Sequence, residues 1–139
     1  VVTNAQRGTG FERAVRDDLA KRGYIVVRST ASKSPLDLVA LWARPLPSPG
    51  WTWTTADGGG RWLPALLVQA KVDGRLDPDE WNVLYGLART SDTPAVLVKR
   101  VKEGRRFVPA YFFLLGEKVS GSRKPPMLRV YPPVEVSGG

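Results

Sequence analysis

The chain has 139 residues, 42% hydrophobic and 24% charged, the balance of one globular domain with a single core rather than of a disordered chain. It carries 21 Lys and Arg against 13 Asp and Glu, a net charge of +8, with neither cysteine nor histidine. Disulfides, thiolate or imidazole metal sites, a Ser-His-Asp triad and histidine general bases are thereby excluded, leaving carboxylates, lysine and a hard, oxygen-loving cation for any hydrolysis.

In chain order, the first predicted element is a helix from Asn4 to Arg22, with Phe11, Val15 and Leu19 recurring every four residues and Gly23 as its stop. Tyr24 to Ser29 reads as a β-branched strand, Thr30 to Pro35 as a small-residue loop, and Asp37 to Trp42 as a second strand, together an antiparallel hairpin under the helix. Residues 45–64 form a Pro-, Trp- and Gly-rich insertion between strands. Trp51 and Trp53 alternate before a glycine-rich turn, which predicts a strand-turn-strand whose returning arm runs on into Leu66-Leu67-Val68. Asp77 as N-cap, Pro78 at the first helical position and Asp79-Glu80 in the first turn open a second helix. Its apolar stripe is Trp81, Leu84, Tyr85 and Ala88, and Thr93-Pro94 closes the unit. A strand begins at Ala95, turns at Glu103-Gly104 and returns from Phe107 to Leu115. The tail, 117–139, reads as loops with one short strand around Leu128 to Tyr131.

This order predicts an α/β fold, a single domain over 1–139 with a central mixed β-sheet flanked by helices; the second helix supplies one parallel crossover. The strand from Phe107 to Leu115 is apolar at odd and even positions alike, so it is expected to be buried on both faces. In so small a domain the second cover is expected to be another copy of the chain, in a two-fold homodimer.

Fourteen of the 21 basic residues are arginine, the side chain that grips phosphate bidentately, so the charge points to a polyanionic partner. Nucleic acid is favoured over a membrane: no apolar stretch approaches the roughly 20 residues a bilayer span needs. No signal-peptide pattern is present, and a cytoplasmic location, cellular or phage-encoded, is the expectation.

The residues with chemistry to offer are few. In Leu66 to Arg75, the alternation of a strand places Gln69 and Lys71 on one face, while Leu66, Val68, Ala70 and Val72 fill the other. If the second and third strands are neighbours, Asp37 stands beside Gln69 and Lys71, and the first helix can bring Glu12. Mg²⁺ takes one or two carboxylates and completes its shell with water or phosphate. Asp37 is the obvious carboxylate, the Gln69 side chain and the Ala70 carbonyl could add oxygens, and Glu12 could hold a second metal or a metal-bound water. Lys71 would orient the attacking water and stabilise charge on the phosphoryl oxygens. Plainer roles compete: Asp37 as a strand-start residue, Gln69 and Lys71 as the solvent face of an edge strand, Glu12 as the partner of Arg16 four residues on. Trp51, Trp53, Trp62 and Trp81 either stack on splayed bases or close a small satellite core.

Asp37 followed about thirty residues later by Gln69-x-Lys71 resembles the core of the PD-(D/E)-x-K nuclease superfamily. Gly10-Phe11-Glu12-Arg13 and Val26-Val27-Arg28-Ser29-Thr30-Ala31-Ser32 are similar to archaeal-type Holliday junction resolvases, over roughly Gln6 to Leu87. The resemblance implies a restriction-endonuclease-like fold and a homodimer that cuts four-way DNA junctions by paired phosphodiester hydrolysis. It implies Mg²⁺, with Mn²⁺ as substitute, and no small-molecule cofactor. Carried over residue by residue, Glu12, Asp37, Gln69 and Lys71 are the catalytic set. Arg13, Arg28, Ser32, Lys33 and Ser34 match positions near bound DNA. The chain departs from the pattern where Leu36 separates Pro35 from Asp37, where Gln69 replaces the usual glutamate and removes one negative charge, and in its longer insertion. Two alternatives follow: a nuclease of the same fold acting on flaps or duplex DNA in repair or restriction, and a non-catalytic DNA-binding protein on a decayed nuclease scaffold.

Overall fold

Phe11, Val15 and Leu19, one helical turn apart, become the buried stripe of α1 (Asn4–Lys21). The computed structural model describes residues 4–29, 36–44, 52–119 and 124–133. After α1 come β1 (Tyr24–Arg28), β2 (Leu38–Trp42), β3 (Trp53–Thr55), β4 (Gly60–Arg61), β5 (Ala65–Ala70), α2 (Pro78–Ser91), β6 (Ala95–Glu103), β7 (Arg106–Leu114) and β8 (Met127–Tyr131). The eight strands form one mixed sheet in the order β1-β2-β5-β6-β7-β8-β3-β4, with α1 on one face and α2 on the other.

The local signals act as expected. Gly23 ends α1 with φ of 110°, and a Cβ there would lie 2.9 Å from the Trp42 ring, so only glycine lets the chain turn into β1. Asp77 caps α2 by accepting from the Glu80 N–H at 2.8 Å, and Asp92 ends it in the left-handed conformation, φ 53°. β1 and β2 pair antiparallel, and β5 and β6, joined by α2, form the parallel pair.

Leu38, Ala40, Leu66, Val68, Val96, Val98, Tyr111 and Phe113 meet α1 in the larger core. Leu67, Leu97 and Leu114 meet Leu76, Trp81, Leu84 and Ala88 of the α2 side in the smaller. This partition revises the reason for the doubly apolar β7. Tyr111 and Phe113 face the α1 core and Leu114 the α2 core, while Lys99 and Arg129 lie over the Phe112 ring. Both faces of this part of β7 are covered within one chain, so it needs no second copy.

The insertion departs further from expectation. Its strand-turn-strand exists, as β3 and β4, but the returning arm does not run on into β5. β3 pairs with β8, so the small hairpin lies at the opposite end of the sheet from β1. The reason is Trp53, which enters the main core rather than a satellite. It is fully buried, its ring edge-on to Tyr111 at 5.2 Å. Its Nε1–H donates to Tyr24 Oη at 2.7 Å, and the Tyr24 hydroxyl donates to the Leu63 carbonyl at 2.7 Å. Trp81 fills the α2 core, Trp62 is 40% exposed, and Trp51 lies outside the described residues.

Burial pushes the Tyr24 hydroxyl up to about 12, against a smaller lowering by the Trp53 hydrogen bond. A raised acid binds its proton more tightly folded than unfolded, so this stability is full below pH 10.0 and is lost as pH rises through about 12. Tyr24→Phe, which leaves the Trp53 N–H and the Leu63 carbonyl unpaired, is expected to cost about 1–3 kcal/mol at neutral pH. Urea titrations at pH 7 and above pH 10 check both effects: the deficit of the variant shrinks as wild type titrates.

Candidate active site

β2 lies antiparallel to β5 with Leu38 opposite Val68, and Asp37 extends that pairing. Its N–H donates to the Val68 carbonyl at 2.8 Å, and its Oδ2 accepts from the Ala70 N–H at 2.8 Å. The carboxylate thus stands in the plane of the sheet, where the next carbonyl of a longer β2 would be. A strand residue turns its N–H and C=O to the same side, so the Ala70 carbonyl faces the Asp37 edge as well. Leu36, which separates Pro35 from Asp37, is buried in the α2 core beside Leu67 and Trp81. That apolar anchor fixes the chain just ahead of the aspartate.

Gln69 and Lys71 share the α2 face, as the alternation predicts. Gln69 is only 6% exposed, and its Oε1 has no hydrogen-bond partner among the described residues. A buried, unpartnered carbonyl costs about 1–3 kcal/mol, so this oxygen is the sort of donor a hard cation would satisfy. Lys71 is about one-third exposed, and its Nζ lies 3.7 Å from Glu80 Oε2 in the first turn of α2. Glu80 escaped the sequence reading because its place in that turn was fully accounted for by the helix dipole; only the packing of α2 on β5 brings it to the lysine.

Glu12 arrives from the α1 face. Its partner is Arg28 rather than Arg16, with Arg28 Nε 2.7 Å from Glu12 Oε1. The guanidinium is half-exposed, so the pair is worth at most about 1 kcal/mol and serves to place charge more than to stabilise the fold. Asp37 feels all of these groups. Burial raises its carboxyl above the usual range; the Ala70 N–H lowers it, Glu12 raises it, and Lys71 and Arg28 lower it. Glu12, Arg28, Asp37 and Lys71 therefore form one electrostatic cluster, with Asp37 at its centre.

Arg13 is exposed and, with Glu12, Arg16 and Arg28, lines a cleft of about 20 Å³ beside the cluster. Ser32, Lys33 and Ser34 lie outside the described residues. Two cavities of about 560 Å³ each lie elsewhere, one between α1 and the β7–β8 pair, the other between Trp62 and the end of α2.

Among the described residues, no group of three or more His, Cys, Asp or Glu comes together, and none of their helices is long and apolar enough to cross a membrane. Asp37, the Ala70 carbonyl and the unpartnered Gln69 Oε1 are the oxygens that would hold a cation here, all-oxygen donors with one carboxylate, and the Glu12 carboxylate is coupled to Asp37. That set fits Mg²⁺, which binds through one or two carboxylates and keeps several waters.

No family model matches the sequence, and no curated protein matches it. Among solved structures the chain is similar to Hjc of Archaeoglobus fulgidus, a Holliday junction resolvase from an archaeal hyperthermophile. The likeness has a TM-score of 0.50 and 21% identity, and it covers 94% of this chain and 93% of that one. It is a likeness of fold over nearly the whole of both chains, a central mixed sheet with helices.

The raised carboxyl of Asp37 gives the site a stability signature. A carboxylate made harder to ionise by folding opposes folding once it is charged. Asp37→Asn keeps an acceptor for the Ala70 N–H and removes the charge, so the metal-free variant is expected to melt above wild type at neutral pH. The gap should close as pH falls through the Asp37 titration, where wild type becomes neutral too. Thermal melts in a chelating buffer from pH 7 to pH 3 measure this.

Proposed function

We propose that the chain is a Mg²⁺-dependent, structure-selective endodeoxyribonuclease that resolves four-way DNA junctions as a homodimer. The observation that carries the reading is the meeting of Asp37, the Ala70 main chain and Lys71 at one end of the β2–β5 pair. It is supported by the likeness of fold to a Holliday junction resolvase and by the net charge of +8.

A bound divalent ion would supply Lewis acidity toward a phosphoryl oxygen and a water of lowered pKa. The chain's own residues do the placing. Asp37 cannot swing, because both its N–H and its carboxylate are bonded to β5. Gln69 is held by burial under α2, so its amide oxygen is preorganised and pays little on binding. Lys71 trades its long contact with Glu80 for a phosphate oxygen and stabilises the charge that grows there. Glu12, held on Arg28, keeps a second carboxylate in the cluster with Asp37. Arg13 and Arg28 flank the strand as phosphate contacts, and selectivity comes from branch shape rather than base sequence.

A four-way junction needs two incisions, and one chain has one such cluster. The exposed apolar surface that suits a second copy is on the α2-side face of the β1–β2 hairpin, where Ile25 and Leu41 are cross-strand partners and Val27 stands next to them. All three are about half-exposed or more. Val27→Asp is expected to shift the protein from dimer to monomer in sedimentation velocity at micromolar concentration; an unchanged dimer would move the interface elsewhere.

Gln69 favours a second reading, a DNA-binding protein without catalysis, since its amide brings no charge to the metal. Calorimetry separates the two: tight junction binding with no Mn²⁺ uptake fits that reading. Comparison of junction, flap and linear duplex substrates separates a resolvase from other nucleases. With Mg²⁺ and a labelled four-way junction, wild type is expected to give paired, symmetric cuts. Asp37→Asn and Lys71→Ala are expected to lose at least about a hundredfold in cleavage rate, the scale of removing one transition-state charge partner, while still shifting the junction in a gel. Cleavage by Asp37→Asn at the wild-type rate would remove Asp37 from the chemistry.

A further inference from the structure

The segment Lys99 to Arg106, KRVKEGRR, has five cations and one acid. Its net charge of +4 is half of the chain's +8, concentrated in eight residues. It forms the distal part of the β6–β7 hairpin, closed at Gly104 with φ of 62°, and Arg100, Lys102, Arg105 and Arg106 are exposed. Cations on a strand edge also guard against strand-to-strand aggregation. Five are present, and among the described residues none of them has an ion-pair partner. The single acid, Glu103, lies 3.9 Å from Arg129 on β8 instead.

The position of this hairpin gives the charge a use. β5 ends at Ala70, but its neighbour β6 continues. The Lys71 N–H donates to the Val98 carbonyl and the Arg100 N–H to the Val72 carbonyl, so Lys99 stands next to Lys71 on the same face. The turn after Lys71 is seated on this lysine: Gly74 has φ of 73°, and a Cβ there would lie 2.8 Å from Lys99 Cδ. Beyond that anchor the four residues Arg100 to Glu103 carry the hairpin roughly 13 Å past the catalytic end of the sheet, at about 3.3 Å each. Two cations are held in place by aromatic rings. Lys99 Nζ lies 5.1 Å from the Phe112 centroid, and the Arg100 guanidinium 4.4 Å from that of Phe107, itself 59% exposed. A stacked guanidinium has less freedom to lose when it meets a phosphate.

We propose that residues 99–107 are a phosphate-gripping arm that holds the DNA duplex leading away from the cleaved strand. The inference rests on the nuclease reading only for DNA as the partner. The arm reads no bases: long, flexible cations on a hairpin tip meet phosphates of any sequence, and their contribution is one of counterion release.

The test measures binding by fluorescence anisotropy, in EDTA, of a labelled four-way junction and a linear duplex at several salt concentrations. Neutralising three tip cations together (Lys102→Ala, Arg105→Ala, Arg106→Ala) is expected to make the slope of log affinity against log salt shallower by about 2–3, at about 0.9 for each phosphate no longer neutralised. Affinity at low salt should fall about tenfold or more. A control of equal charge change away from the arm (Arg44→Ala, Arg61→Ala, Arg89→Ala) is expected to keep the wild-type slope. An unchanged slope in the tip variant, or an equal loss in the control, overturns the arm. Because binding is read without metal, the two proposals fail separately. A wild type that cuts junctions while the tip variant keeps its slope loses only the arm. A wild type that binds through the tip but never cuts loses only the nuclease. A wild type that binds neither DNA overturns both.

Discussion

Everything at the candidate site depends on how Asp37 closes the β2–β5 pair. Two hydrogen bonds of 2.8 Å, one from its main chain and one to its carboxylate, tie it to Val68 and Ala70. The same pairing sets the register that sends Leu66 and Val68 to the α1 core and Leu67 and Gln69 to the α2 side. A slip of one residue would exchange these faces, drive Lys71 toward the α1 core and leave Asp37 without its partner. Fold and site are held by one register, so the carboxylate's position is as rigid as the sheet.

That rigidity comes from central strands covered on both faces by a single chain. α1 and α2 lie on opposite sides, and the candidate site lies at one end of the sheet between them. Glu12 reaches it from one side and Lys71 from the other, while Asp37 lies between them in the sheet plane. Burial works against the charge on Asp37, and the Ala70 N–H with the cations of Lys71 and Arg28 works in its favour. The cluster is therefore poised rather than relaxed: a half-buried carboxylate and the buried, unpartnered Gln69 oxygen are tolerated because the surrounding cores are large enough to hold them.

Much of this was legible in the sequence. α1, the β1–β2 hairpin, the cap and stripe of α2 and the parallel crossover follow from periodicity, capping residues and turn chemistry, all of them local. The reading failed where partners are distant in the chain. Trp53 looked like part of a satellite core, because nothing local says that it enters the main core or that its strand pairs with β8. β7 looked like an interface because its apolar pattern on both faces says that it is buried, not by what. Lys99 to Arg106 read as a turn between two strands. Its meaning came from β6 outrunning β5 beside Lys71, a difference in length between neighbours that no single strand reveals.

By itself, then, the sequence determined the available chemistry. Without cysteine or histidine and with Asp37, Gln69 and Lys71 at strand spacing, only oxygen donors and lysine remained, on a basic α/β domain. The tertiary structure decided who meets whom: Asp37 with Ala70, Glu12 with Arg28, Lys71 with Glu80 and Lys99, Trp53 with Tyr24. The physical reason is that side-chain period and capping are written in neighbouring residues. Strand order and helix placement are settled only when all the apolar faces are buried at once.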